Sequence, residues 1–343
     1  MATLGSSYLN LIDTIKATTD GKQVAALIEV LMQSNPILAD AVAVECNMGR
    51  EHLHAIRTGL PSVAWGALYK GVPQSKSIRQ QVKDTTGFVE GMSGVDTRLL
   101  KITPNEGAIR LQEANGFLEA MNQEVATGIF YHSTAATPEK FKGLNARYGA
   151  LGGSGPGNQI IDGLGTGSDN TSIWFITWGD PYTTLLYPQG TKAGLQREDK
   201  GEQRVVDAVG NPFYVKEEYF SWHVGMSVGD WRFNARVANI DVSDAAAGTV
   251  NLNALMTSAY YKLQNRRVDR NGGKMGAAGV KRLAIYMNRD MLAVLDNLQT
   301  NRGNTDNYVR LVPKEVEGQE VLTWRGIPIR ETDALLNTET RVV

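Results

Sequence analysis

The stretch TPNEGAIRLQEANGFLEAMNQEVATG, residues 103–128, carries the clearest local signal in the chain. Thr103-Pro104-Asn105-Glu106 reads as a capping box with proline at the first helical position. Behind it Leu111, Ala114, Leu118, Met121 and Val125 recur at spacings of three and four. The spacing predicts a helix running to about Gly128, ~37 Å long at 1.5 Å per residue. A mean helix has only ~11–12 residues, so this segment reads as a structural beam on which other elements rest.

On its N-terminal side the chain changes character. SVAWGALYK (62–70) and SIRQQVKDTTGFVEG (77–91) read as strands separated and followed by Gly, Pro and Ser. Apolar residues are sparse there, while Lys70, Lys76, Arg79, Lys83, Asp84 and Glu90 supply charge. Residues 58–103 therefore read as a long hairpin projecting from the body, and an isolated hairpin is marginal in water without a partner. Further upstream, SSYLNLIDTIK and KQVAALIEVLMQSNP carry short amphipathic helix patterns, the second ended by Pro36. Neither is long enough to stand alone.

On the C-terminal side a glycine-rich stretch, GALGGSGPGNQIIDGLGTGSDN (149–170), reads as a mobile or assembly-contacting loop. Strands are expected at TSIWFITWG (171–179), TTLLYPQG (183–190) and within 212–242. A capped helix follows with Leu252, Leu255, Met256, Ala259, Tyr260 and Leu263. LAIYMN (283–288) reads as a buried strand, with Asn288 capping the helix RDMLAVLDNLQ and Asp290 complementing its dipole. Strands around YVRLV, EVLTWRG and IPIRET close the chain. DRNGGKMGAAG (269–279) lacks the ligand spacing of a calcium loop and reads as a flexible tip.

Composition narrows the function. The chain has 343 residues and a net charge of -1, so no basic excess exists to neutralise phosphates in bulk. Cys46 is the single cysteine, which excludes an intrachain disulfide and a cysteine-based zinc site and points to a reducing compartment. The N-terminus shows no signal-peptide pattern, and no stretch approaches the ~20 apolar residues of a membrane span.

Several patterns invite a chemical reading. GMSVG (225–229) fits G-x-S-x-G, with His223 and Asp230 beside it. A nucleophile elbow needs strand, sharp turn, then helix, but Ser227 has strand-like sequence on both sides and no histidine follows it. A serine hydrolase using Ser227 is the rival reading from another class. His52 and His54 (EHLH) have a spacing that suits metal ligands on one strand face, yet no third ligand cluster accompanies them; an exposed segment leading to the hairpin is the plainer reading. His132, after the long helix, fits a helix-end cation. The glycine-rich loop lacks the Lys-Ser/Thr of a P-loop. No catalytic residue, cofactor site or metal site is assigned.

The order of elements resembles the major capsid protein of tailed double-stranded-DNA bacteriophages, and the short-tailed phages in particular. FKGLNARY (141–148) resembles the F-x-G-L signature that follows the family's spine helix. AIYMNRDMLAVLDNL (284–298) resembles the strand-Met-Asn-helix of its axial domain, and LTWRGIPIRETDALL (322–336) its G-I-P-[IV] strand. The resemblance implies an α+β capsid fold with an N-terminal arm (1–57) and an extended hairpin loop (58–103). A peripheral domain around the spine helix (mainly 104–245) and an axial domain with closing strands (mainly 246–343) would complete it. It implies a non-enzymatic subunit that assembles with copies of itself into pentamers and hexamers around packaged double-stranded DNA, without sequence-specific contact. Trp65, Tyr69, Lys76, Arg79, Lys83, Phe88 and Glu90 are the expected assembly contacts. With no room before residue 60 for a scaffolding segment, a separate scaffolding protein is expected, alongside a portal and in some relatives a decoration protein. The expected place is the virion, assembled in the host cytoplasm. An encapsulin-like cellular compartment shell shares the fold and is the alternative.

Overall fold

Residues 170–178, NTSIWFITW, are buried at every position, which requires cover on both faces of the strand they form. Trp174, Ile176 and Trp178 enter one apolar core and Ile173 and Phe175 a second, as alternation along a strand demands. The computed structural model describes residues 18–19, 23–24, 32–102, 105–153, 155–207, 209–264, 282–300, 312–316 and 319–343.

In chain order the first elements are β1 (Thr18–Thr19), β2 (Gln23–Val24), α1 (Ile37–Asp40), β3 (Ala43–Glu45), β4 (Glu51–Gly59) and β5 (Ile78–Asp96). Next come α2 (Thr97–Ile102), α3 (Glu106–Tyr131), β6 (Ile160–Asp162), β7 (Asn170–Trp178), β8 (Thr183–Tyr187), β9 (Leu195–Val206) and β10 (Pro212–Val228). The chain continues through β11 (Ala235–Asp241), α4 (Val242–Ala246), α5 (Leu252–Lys262), β12 (Arg282–Met287) and α6 (Arg289–Thr300). It ends with β13 (Val312–Val316), β14 (Gln319–Trp324) and β15 (Ile327–Glu331). One mixed sheet runs β13-β14-β15-β12-β7-β8-β10-β5-β4, with β3, β6, β9 and β11 joined off that path. The first amphipathic segment, 6–16, lies outside the described residues, as do the segment 269–279 expected to be a flexible tip and most of YVRLV. Of the second, Gln23–Val24 pairs antiparallel with Thr18–Thr19 rather than opening a helix.

The first core lies between the sheet and the second half of α3, where Val125, Ala126, Ile129 and Phe130 meet Trp174, Trp178, Met226 and Tyr286. The second packs α5 and α6, through Met256, Ala259, Met291 and Leu295, on Phe175, Val237 and Ile285. Ala334, Leu335 and Val342 return to the first core, while β11 gives Ala238 to the first and Ala235, Val237 and Ile240 to the second. The cores thus mix segments from both sides of residue 245.

The beam is present but begins later than its sequence pattern implies. Asn105, not Thr103, is the N-cap: its side chain accepts from the Ala108 N–H at 3.2 Å. Thr103 and Pro104 lie outside the described residues. α3 has 26 residues, about 39 Å. Leu111 is exposed rather than in the buried stripe, because the first half of α3 meets β5 and β10 by a narrow line of contact centred on the stacked Phe117 and Phe220 rings.

FKGLNARY closes the far end of this helix. The last carbonyls of a helix have no partner within it. Here Leu144 N–H donates to Ile129 O (2.8 Å), Asn145 N–H to Phe130 O (2.7 Å) and Gly143 N–H to His132 O (2.8 Å). A Cβ at Gly143 would stand 2.6 Å from Gly128 O and 3.0 Å from His132 N, so only glycine permits the approach. Gly143→Val is expected to lower the unfolding free energy of the subunit by about 1–3 kcal/mol, read from its denaturant midpoint.

The glycine-rich stretch is not a free loop. β6 within it pairs parallel with β11, and Gly163 and Gly165 N–H groups donate to Ala238 O and Asn239 O, both at 2.8 Å. β9 has no counterpart in the sequence reading. LQREDKGEQRVV shows no apolar alternation because it is an edge strand, largely exposed and held by its ladder to β10.

Candidate assembly surface

The projecting hairpin is real, but its arms differ from those expected. β4 (EHLHAIRTG) pairs antiparallel with β5, from Glu51↔Thr85 to Gly59↔Ile78. Residues 62–70 form no strand: 60–77 is an irregular tip, and the hairpin begins at 51 rather than 58. A strand needs ladder partners, and 62–70 has none among the described residues. β5 then continues into the body, where Thr86–Asp96 pairs with β10.

Every tip residue from 60 to 76 is exposed. Leu60, Val63, Trp65, Leu68, Tyr69 and Val72 stand in water, Trp65 and Tyr69 fully. Large apolar side chains exposed together are unusual on the surface of a soluble monomer. The charge there is one-sided: from 57 to 83 the chain carries Arg57, Lys70, Lys76, Arg79 and Lys83 and no acid. The tip therefore suits an apolar surface rimmed by carboxylates.

The expected contact residues divide into two groups. Trp65, Tyr69, Lys76 and Arg79 lie on the tip or the outermost turn of β5 and are exposed. Lys83, Phe88 and Glu90 lie nearer the body and already have partners. Lys83 pairs with Glu51 (2.7 Å), Phe88 packs on the His223 ring (5.7 Å), and Glu90 accepts from the Tyr219 hydroxyl. Leu60, Val63, Leu68 and Val72 are exposed on the same tip and were not among the expected contacts, although their lack of either helical or strand periodicity was a readable sign.

The root of the hairpin is held electrostatically. Asp84, nearly fully buried, receives Arg147 Nη2 on Oδ1 at 2.7 Å, and the same Nη2 donates to Met226 O at 2.9 Å. Arg147 belongs to FKGLNARY, so the segment that closes α3 also clamps the hairpin. Nothing in the spacing of 84 and 147 announces this pair.

The GMSVG geometry is that of a sheet, not an elbow. Ser227 is buried at the end of β10 opposite Thr184, and after Gly229 the chain makes one short 3-10 turn, Trp231–Phe233, before β11. The glycines serve close approach: a Cβ on Gly229 would stand 1.9 Å from Pro181 O. His52 and His54 are half-buried on β4 rather than in an exposed lead-in segment. Among the described residues no group of three or more His, Cys, Asp or Glu is arranged to hold a metal ion, and no helix is long and apolar enough to cross a membrane.

His132 is the helix C-cap but not a cation at neutral pH. Burial first, then Lys140, holds its imidazole below the ordinary value, while Glu124 pulls the other way. Lys140 supplies the positive charge instead, 2.7 Å from Glu124.

A chain from the near-atomic structure of bacteriophage Epsilon15 is similar over the full fold. It is 29% identical, with 100% of this chain and 99% of that chain covered and a TM-score of 0.77. The capsid chain of a native GTA particle is more distant, at 10% identity and TM-score 0.45 over 69% of this chain and 99% of its own. The SrpI encapsulin of Synechococcus elongatus stands at 9% and 0.42, over 68% and 96%. A search of curated proteins finds no match. The family model described as major capsid protein GP7 matches residues 18–343, so the fold is that of phage capsid proteins, the protein is a structural, shell-forming one, and the chain belongs to the major capsid protein GP7 family.

Proposed function

We propose that this chain is the major head subunit of a bacteriophage or prophage. It assembles as pentamers and hexamers into an icosahedral shell around double-stranded DNA, and it has no catalytic role. Heterologous contacts that close by rotation make rings, and rings joined by overlapping arms make a shell. In this reading the hairpin of β4 and β5 is the overlapping arm, with Trp65, Tyr69, Lys76 and Arg79 as its contact residues and Lys83, Phe88 and Glu90 flanking them. α3 is the spine of a peripheral domain, and β12 with α6 belongs to an axial domain near the capsomer centre. A separate scaffolding protein and a portal complete assembly in the host cytoplasm, with a decoration protein as a further partner.

The observation that carries the reading is the tip at 60–76, rich in apolar residues, acid-free and exposed at every position among the described residues. A specific protein contact buries ~1,200–2,000 Å² in total, which an arm of this length laid on a neighbour can reach. Limited proteolysis tests it. Free subunits are expected to be cut first within 60–77, and assembled particles to resist cutting there. Equal cutting before and after assembly would count against the arm.

A further inference from the structure

The face of the hairpin that rests on the body carries a cluster the assembly role does not use. His52 stands opposite Asp84 in the ladder, and His54 lies diagonal to it, with Nδ1 3.9 Å from Asp84 Oδ2. Asp84 Oδ1 is taken by Arg147, whereas Oδ2, both ring nitrogens of His54 and Nδ1 of His52 are buried without a hydrogen-bond partner among the described residues. Buried polar atoms left unpaired are costly, and a neutral imidazole costs far less there than a charged one.

The groups facing His54 come from four elements. β4 offers His52, its ring centroid 6.2 Å away, β5 offers Asp84, and FKGLNARY offers Arg147. β10 offers only the Val228 carbonyl, which faces the ring without a well-formed hydrogen bond. Glu51 and Lys83 pair with each other on the opposite face of the pleat. Asp84 and Arg147 already neutralise one another, so a proton taken up by His54 adds uncompensated positive charge beneath the hairpin root.

We propose that His54, packed against His52, is a proton-operated latch: neutral, it lets the root of the hairpin lie on the body, and protonated, it releases it. The latch regulates the arm identified above, and rests on that reading only for its consequence in assembly. Burial, then His52 and Arg147, hold the His54 imidazole below its ordinary value, against the pull of Asp84. The closed root therefore binds a proton less readily than the open one. Its stability is complete above the ordinary imidazole value of 6.5 and is lost as pH falls through and below it.

Hydrogen exchange on the unassembled full chain tests the latch independently of shell formation. Protection over 50–56 and 80–86 is compared at about pH 7.5 and about pH 5.5, corrected for intrinsic exchange, with β7 as internal reference. We expect a severalfold loss of protection at the root at the lower pH, absent in His52→Gln/His54→Gln and retained in His132→Gln. Equal protection at both pH values, or the same loss in the double variant, would overturn the proposal. If the double variant does not fold, ring NMR of the wild type decides, since the chain has only four histidines. The His54 resonance should titrate below the ordinary midpoint together with root signals, and a normal midpoint with an unmoved root would refute the latch.

Discussion

A subunit in which Asn-Gly replaces residues 60–77 is expected to fold and to build no closed shell. Gly59 and Ile78 are ladder partners, so a two-residue turn can join them directly, and Asn-Gly adopts the type I′ geometry whose twist suits such a hairpin. β5 and its pairing with β10 remain, as do both cores. A deletion reaching into β5, such as 70–96, would behave differently. It would remove the partner of Val215–Gly225 in the central sheet and unfold the body. The shortened variant loses six apolar side chains now in water, each worth ~1.5–3 kcal/mol when fully buried against a neighbour. Even partial loss of one such contact, about 3 kcal/mol, weakens association about a hundredfold, and a closed shell repeats that loss at every subunit. Circular dichroism should show native secondary structure, and electron microscopy or sedimentation should show free subunits or small oligomers. Intact shells would refute the arm assignment.

The largest effect on the subunit itself is expected from Glu339→Ala. Arg236 is 1% exposed in the first core, where its guanidinium meets Ser172 Oγ (3.0 Å), Tyr148 O (2.8 Å) and Glu339 Oε2 (2.8 Å) and lies 4.9 Å from the Trp174 ring centre. The other oxygen of Glu339 accepts from Tyr131 OH, whose phenol is pushed far above its ordinary value by burial and this carboxylate, and which therefore remains a donor. Removing the carboxylate strands a charge in an apolar core, at a cost of about 3–5 kcal/mol. Arg236→Met/Glu339→Leu removes both charges together and should recover much of that loss. Denaturant unfolding of the three proteins checks this; a double variant as unstable as Glu339→Ala would show that the pair does more than satisfy itself.

The network also shows where sequence reading stops. Arg236 and Glu339 are separated by 103 positions and share no motif, and the same holds for Asp84 with Arg147 and for Asp40, which receives both Arg330 and the Tyr286 hydroxyl. By contrast, β7, β8, β12, α5 and α6 were legible because each buries an apolar face within its own span. Local caps behaved similarly: Asn251 and Asn288 bond two or three residues ahead. Asn105 rather than Thr103 caps α3, and both residue types can serve as caps.

Periodicity and capping, which act over a few residues, were enough to specify the beam, the buried strands and the absence of an elbow at Ser227. They could not place the hairpin arms or reveal β9, since an exposed strand is held by backbone bonds to its neighbour and leaves little trace in side-chain pattern. The setting of His54 against Asp84 and Arg147, and the other buried charges, emerged only when distant segments met, because the free energy of an ion out of water depends on what surrounds it rather than on its place along the chain.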